Sequence, residues 1–202
     1  MKIIWIVLLS LTIVSTNSAE RGSNLTTTLY NTRIASEDLI RQRLELISSE
    51  VDFRYTPEVH DRIVEYTTYG VRQTENMLGR VPVYLPIVEY HLRKNNLPEN
   101  LKYLPIVESN LQPKAASGVG AVGLWQFMEG TAKELGLKIN SQVDERRDPV
   151  KSTEAALRYL SNLHKKYQDW NLVFAAYNCG PGNVNKAIRK AGGQRDFWSI
   201  RQ

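Results

Sequence analysis

Asp148-Pro-Val-Lys-Ser-Thr-Glu-Ala-Ala-Leu-Arg-Tyr-Leu-Ser-Asn-Leu-His-Lys-Lys-Tyr167 reads as one long helix. Asp148 is a side-chain acceptor for the open N–H groups of a first turn, and Pro149 has its φ preset where no N–H is needed. Ala155, Leu157, Leu160, Leu163 and Tyr167 then recur at helical spacing and define a face to be buried. Working outward, Leu172 to Asn178 forms a second apolar helix, broken by Gly180-Pro181-Gly182. Upstream, Thr56-Pro57-Glu58 opens a helix through Val59, Ile63 and Tyr66. Another begins near Pro82 and stops at Arg93-Lys94-Asn95-Asn96, and Pro98-Glu99 starts a third, which carries Glu108. Leu39, Leu44, Ile47 and Val51 give a looser stripe. Only Leu137 to Val143 is strand-like, with room for a short hairpin, and residues 110–125 and 138–148 read as long irregular loops. The fold class is mainly α.

The chain has 202 residues, enough for one domain with a proper core. Its start differs from the rest. Lys2 is followed by an apolar run from Ile3 to Val14 and a small-residue end at Ala19, the order of a secretory signal peptide. We therefore expect residues 1–19 to be a signal peptide, 20–35 a flexible polar lead-in, and 36–78 a helical extension ahead of a main domain at 79–202. Loss of residues 1–19 removes only Lys2 and leaves 25 basic against 21 acidic residues, a net charge of +4. The basic residues are scattered among acids, which excludes a nucleic-acid footprint. Cys179 stands alone and is expected as a small core residue. His60, His91 and His164 have no metal-ligand spacing, so no metal or cofactor is expected.

Leu85-Pro-Ile-Val-Glu89 and Leu104-Pro-Ile-Val-Glu108 are the same five residues, nineteen apart, and so two glutamates compete as a chemical centre. Leu101 and Leu104 precede Glu108 by seven and four residues, which sets Glu108 at the end of an apolar stripe. A carboxyl there is partly desolvated, as a general acid requires. Pro105 either kinks or restarts that helix. After Glu108 the chain runs through Ala116-Ser117-Gly118-Val119-Gly120-Ala121-Val122-Gly123-Leu124-Trp125-Gln126. The three glycines permit a tight loop whose backbone approaches a ligand, Trp125 offers a flat face for a sugar, and Ser117 and Gln126 offer hydrogen bonds. Glu89 is followed by an ordinary amphipathic helix and reads as structural. The glycine spacing also fits a dinucleotide fingerprint, but no strand or βαβ pattern surrounds it.

Glu108-Ser109, the Gly118–Gln126 stretch ending in Gly-Leu-Trp-Gln, and Ala175-Ala176-Tyr177-Asn178 before Gly180-Pro181-Gly182 occur in one order and spacing. In this the chain resembles the soluble-lytic-transglycosylase catalytic domain, and most of all the membrane-bound lytic transglycosylase D type. The resemblance covers about Val51 to Ile200. It implies a lysozyme-like single catalytic domain with an N-terminal helical extension. It further implies that Glu108 protonates the glycosidic oxygen between N-acetylmuramic acid and N-acetylglucosamine, then takes the proton of the muramyl C6 hydroxyl as a 1,6-anhydro ring closes. Ser117 and Gln126 would contact the sugar near the cleavage point, Met128 and Tyr177 would line the groove, and Asn178 would hold Glu108 or the substrate. No second acid belongs to the matched motifs, although Asp144, Glu145 or Asp148 has the reach to fold back toward the groove.

The resemblance also implies peptidoglycan glycan strands as the partner, a location in the periplasm or cell envelope, and a monomer, with membrane or wall attachment left open. D-type relatives usually continue past the position of Gln202, often into wall-binding repeats, so the sequence reads as a fragment or a short member. Competing readings are a goose-type lysozyme-like hydrolase, in which water attacks, a non-catalytic peptidoglycan-binding protein, and an interaction module of amphipathic helices.

Overall fold

A computed structural model describes residues 37–45 and 54–200. The signal peptide and lead-in expected over 1–35, together with Ile47 and Val51, lie outside these residues. The described chain is mainly helical. Helix α1 (Glu37–Glu45) is followed by α2 (Pro57–Val64), which runs into a π-helical turn at Glu65–Tyr69, and then by α3 (Val71–Leu78) and α4 (Val81–Lys94). A 3₁₀ turn (Glu99–Tyr103) leads into the short α5 (Leu104–Ser109), then α6 (Glu129–Glu134) and a second 3₁₀ turn (Glu145–Arg147). The chain closes with α7 (Pro149–Tyr167), α8 (Trp170–Cys179), α9 (Pro181–Lys190) and α10 (Phe197–Ile200). The described residues form no β-sheet, only isolated bridges of Val122 with Ala116 and Phe127, and of Ile139 with Asp144. The strand-like Leu137–Val143 thus contributes a single bridge. Among the described residues no helix is long and apolar enough to cross a membrane.

Helix α7 is the spine. Asp148 Oδ1 accepts from the N–H groups of Val150 and Lys151, each at 2.9 Å, and Pro149 occupies the first turn. Ala155, Ala156, Leu157, Leu160, Leu163 and Tyr167 are buried along one face, which packs between α4 and α8. Each fully buried leucine there contributes about 1.5–3 kcal/mol. The Tyr167 hydroxyl, 3.1 Å from both the Pro181 carbonyl and Asn185 Oδ1, ties this spine to α9. Gly180, at φ 86°, breaks the chain between α8 and α9 where the sequence predicts a break, and Pro181 then restarts it. Helix α8 begins two residues earlier than its apolar run, at Trp170, because Asp169 caps it through the N–H of Leu172 at 2.7 Å. Cys179 is exposed at the end of α8 rather than packed in the core.

The twin Leu-Pro-Ile-Val-Glu segments take different roles. In α4 the proline lies inside the helix, and Glu89 pairs with Lys102 at 2.8 Å, which joins α4 to the 3₁₀ turn. In the second copy Pro105 restarts the chain. The helix expected from Glu99 onward is 3₁₀ until Tyr103, and α5 begins at Leu104 with Pro105 in its first turn.

Candidate active site

Glu108 sits in the last turn of α5. Leu101, Leu104 and Ile106 of this segment are buried, which anchors it, while Glu108 itself is half-buried, at the end of the apolar stripe. The helix stops abruptly after Ser109. Asn110 (φ 52°) and Leu111 (φ 58°) are both left-handed without being glycine, a conformation that persists only where its surroundings fix it. The fixing contacts are visible. Leu111 is fully buried, and Arg80 donates to the Asn110 carbonyl at 3.1 Å.

The loop after α5 is held from three directions. The buried Ser109 hydroxyl lies 3.0 Å from the carbonyl oxygens of Pro105 and Leu124 and accepts from Gln112 N–H at 3.2 Å. The Tyr177 hydroxyl of α8 donates to the carbonyl of Trp125 at 2.7 Å. Arg146 is buried, pairs with Asp144 at 2.8 Å, and reaches the carbonyls of Gly120 and Phe127 at 3.2 Å. Successive carbonyls at 124 and 125 are therefore gripped by the neighbour of Glu108 on one side and by α8 on the other. Burial pushes the Tyr177 phenol well above its ordinary value, and the nearby charge of Glu108 pushes it further, so it stays a protonated donor. Its ring packs against Phe127 and Tyr159.

Two expectations for this loop are corrected. Trp125 presents no face to a sugar. It is fully buried, and its indole Nε1 donates to Thr153 Oγ1 of α7 at 2.9 Å. Gly123 (φ 87°) makes its close approach to protein backbone instead of a ligand, because a Cβ there would lie 1.8 Å from the Arg146 carbonyl oxygen. Gly118 and Gly120 face open space. Ser117 Oγ accepts from Ala121 N–H at 2.9 Å, and Gln126, at φ 49°, donates from Nε2 to the Gly123 carbonyl at 3.0 Å, so both side chains shape the loop itself. Met128 is exposed beside the start of α6, and Asn178 is exposed beside Tyr177 at the end of α8.

A cleft of about 530 Å³ opens over Glu108. Val107, Ser109, Asn110, Gln112 and Ala115 line it on the α5 side, and Glu65, Tyr66, Tyr69, Gly70 and Gln73 line it on the other. Of the expected site residues, Glu108 alone lines this cleft. Asp144, Glu145 and Asp148 do not fold back to it. Asp144 is engaged by Arg146, which holds its carboxyl below the usual range, Glu145 pairs with Lys151, and Asp148 caps α7. The second acid at the cleft is Glu65, paired with Arg62. Sequence reasoning passed over Glu65, Tyr69, Gln73, Arg146 and the staple role of Ser109. The only signal for the first three was an aromatic pair spaced by three residues in an otherwise polar stretch. Among the described residues no cluster of three or more histidine, cysteine or acidic groups is placed to hold a metal ion.

A sequence profile described as the Transglycosylase SLT domain matches residues 86–199. This chain belongs to that family. Its SLT domain is similar to that of the membrane-bound lytic murein transglycosylase D of Escherichia coli, 45% identical over 125 residues that cover 60% of this chain and 28% of that protein. A putative tributyltin chloride resistance protein of an Alteromonas species is 38% identical over 111 residues, 54% of each chain. The peptidoglycan transglycosylase gp16 of phage T7 is 35% identical over 102 residues, covering 50% of this chain and 8% of the phage protein. The chain thus spans about half or less of the length of these relatives. Glu108, the glycine loop, Arg146 and Tyr177 all lie within the SLT match, whereas the cleft residues from Glu65 to Gln73 precede it.

Proposed function

We propose that this chain is a peptidoglycan lytic transglycosylase that cleaves the β-1,4 bond between N-acetylmuramic acid and N-acetylglucosamine and leaves a 1,6-anhydromuramyl end. The observation that carries this reading is a half-buried Glu108 lining a cleft, on a helix end fixed by Ser109 and Arg80. Glu108 as the acid gives its proton to the glycosidic oxygen as the C1–O bond breaks. Its carboxylate then accepts the proton of the C6 hydroxyl, whose oxygen closes on C1. The acid is regenerated and no water is consumed. Ser117, Gln126, Met128 and Asn178 are assigned to the sugar-facing side of the glycine loop and α8. Tyr177 is assigned to the lining of the groove, and its hydrogen bond to the Trp125 carbonyl supports a further role in holding the glycine loop in place. We further assign residues 1–19 to a signal peptide, 20–35 to a lead-in, 36–78 to an extension and 79–202 to the catalytic domain. The protein would act as a monomer on glycan strands in the periplasm or cell envelope.

One observation favours a second reading. Glu65 gives the cleft a second carboxylate, and a water activated by it would yield hydrolysis, as in lysozyme-type enzymes. Its pairing with Arg62 weighs against a free base. Mass spectrometry of peptidoglycan digests separates the two. Products one water lighter than hydrolytic muropeptides, lost in Glu108→Gln and retained in Glu65→Gln and Glu89→Gln, support the transglycosylase. Reducing ends that depend on Glu65 support the hydrolase, and intact peptidoglycan from the unmutated protein refutes both.

A further inference from the structure

The wall of the cleft that precedes the family match is built around a π-helical turn, a form uncommon in helices and often found at functional sites. Gly70 N–H bonds back to the Glu65 carbonyl at 2.6 Å, five residues away. A Cβ at Gly70 would lie 2.9 Å from that same oxygen, so glycine is what allows the turn to close. In an ordinary helix Gly70 would bond the Tyr66 carbonyl. Here that carbonyl is met at 2.9 Å by the hydroxyl of Thr74, which is buried. The wide turn is therefore satisfied and built in. The turn leads out of α2, where Val59 and Ile63 are buried, and Tyr66, Tyr69, Gly70 and Gln73 of the turn and the start of α3 line the cleft. Tyr66 is half-buried, and Tyr69 is 86% exposed, the most exposed of the large hydrophobic side chains described. An aromatic ring that wet makes no contribution to the core.

We propose that Tyr69 and Gln73 form a saccharide subsite of the cleft, with the ring of Tyr69 stacked on a sugar and the Gln73 amide bonded to its acetamido group. This rests on the reading of the chain as a glycan-cleaving enzyme and extends it to residues outside the SLT match. The chemistry fits an N-acetylhexosamine. A pyranose has a flat C–H face that stacks on a ring, and an acetamido group needs both a donor and an acceptor, which one amide side chain provides. A stem peptide, with its carboxylates, would meet Glu65 on the same wall.

The test is calorimetric binding of stem-peptide-free glycan strands to the full chain carrying Glu108→Gln, so that the ligand survives. Adding Tyr69→Ala is expected to weaken binding about five- to twenty-fold, while Tyr69→Phe stays within about twofold. Gln73→Ala is expected to weaken it about three- to tenfold. Tyr90, exposed outside the cleft, is the control, and Tyr90→Ala should bind as the parent does. Melting temperatures within about 2 °C of the parent would exclude misfolding. Unchanged affinity in Tyr69→Ala, or a loss seen only with peptide-bearing strands, overturns the subsite. If the protein with Glu108 intact still releases anhydro products in that case, the subsite falls alone. If the protein with Glu108 intact does not cleave and the Glu108→Gln parent does not bind, the functional reading falls with it.

Discussion

Replacing Gly123 with alanine tests whether the glycine loop is shaped by the protein behind it. The residue sits at φ 87°, and the added Cβ would meet the Arg146 carbonyl oxygen at 1.8 Å and its carbon at 2.7 Å. Relief requires the two backbones to separate by roughly 1.5 Å. The left-handed conformation alone costs alanine about 1–2 kcal/mol. The separation would also pull Arg146 off the Gly120 and Phe127 carbonyls, and hydrogen bonds to a charged group are worth about 1.5–3 kcal/mol each. A loss of about 4–8 kcal/mol is expected, a large part of a typical domain's stability. Two neighbours calibrate it. Gly120, at φ 90° with open space around it, should lose about 1–2 kcal/mol on substitution by alanine. Gly118, with open space and no left-handed φ, should stay within about 0.5 kcal/mol. Urea unfolding followed by circular dichroism ranks the three variants at constant slope. Equal midpoints for Gly123→Ala and Gly120→Ala would refute the contact with Arg146.

Ser109→Ala removes the donor to the Leu124 carbonyl and leaves the Gln112 N–H with the Ser109 carbonyl alone, and should cost about 1–3 kcal/mol in urea unfolding while lowering muropeptide release more steeply than the melting point. Tyr177→Phe leaves the Trp125 carbonyl unmet and should cost about 1–2 kcal/mol by the same assay. Asp144 has a lowered pKa, chiefly through its hydrogen bond to Arg146. Its contribution is therefore complete above the ordinary carboxylate value and is lost as pH falls through the lower folded value, below about pH 4. Thermal melts across that window should fall more steeply for the unmutated protein than for Asp144→Asn, and parallel curves would remove Asp144 from the acid response.

The helices were legible wherever a cap and a period agreed. Asp148-Pro149 with Leu157, Leu160 and Leu163 fixes α7, and Thr56-Pro57 with Val59 and Ile63 fixes α2. The division at Leu104 was half-legible, because Pro105 signals a restart without saying whether the preceding turn is α or 3₁₀. Trp125 misled because an indole between glycines looks like a surface platform, and only the distant Thr153 hydroxyl reveals the pocket that buries it. Glu108 could be separated from Glu89 by the residues downstream of each, a glycine loop in one case and a continuing helix in the other, but not by the five residues they share. The Glu65–Gln73 wall was beyond reach. A π turn has no sequence period of its own, and the cleft it lines exists only where the distant α5 segment is placed opposite it.

The grip of Tyr177 on the Trp125 carbonyl spans 52 positions of sequence. A nascent chain therefore holds Glu108 long before it holds the support behind it. Contacts of that separation form late, once loop closure has been met by the rest of the core. A chain cut short before Tyr177 would have the carboxylate and the glycine loop without the support that fixes them, so competence arrives as a single late event and no partly made copy carries a share of it.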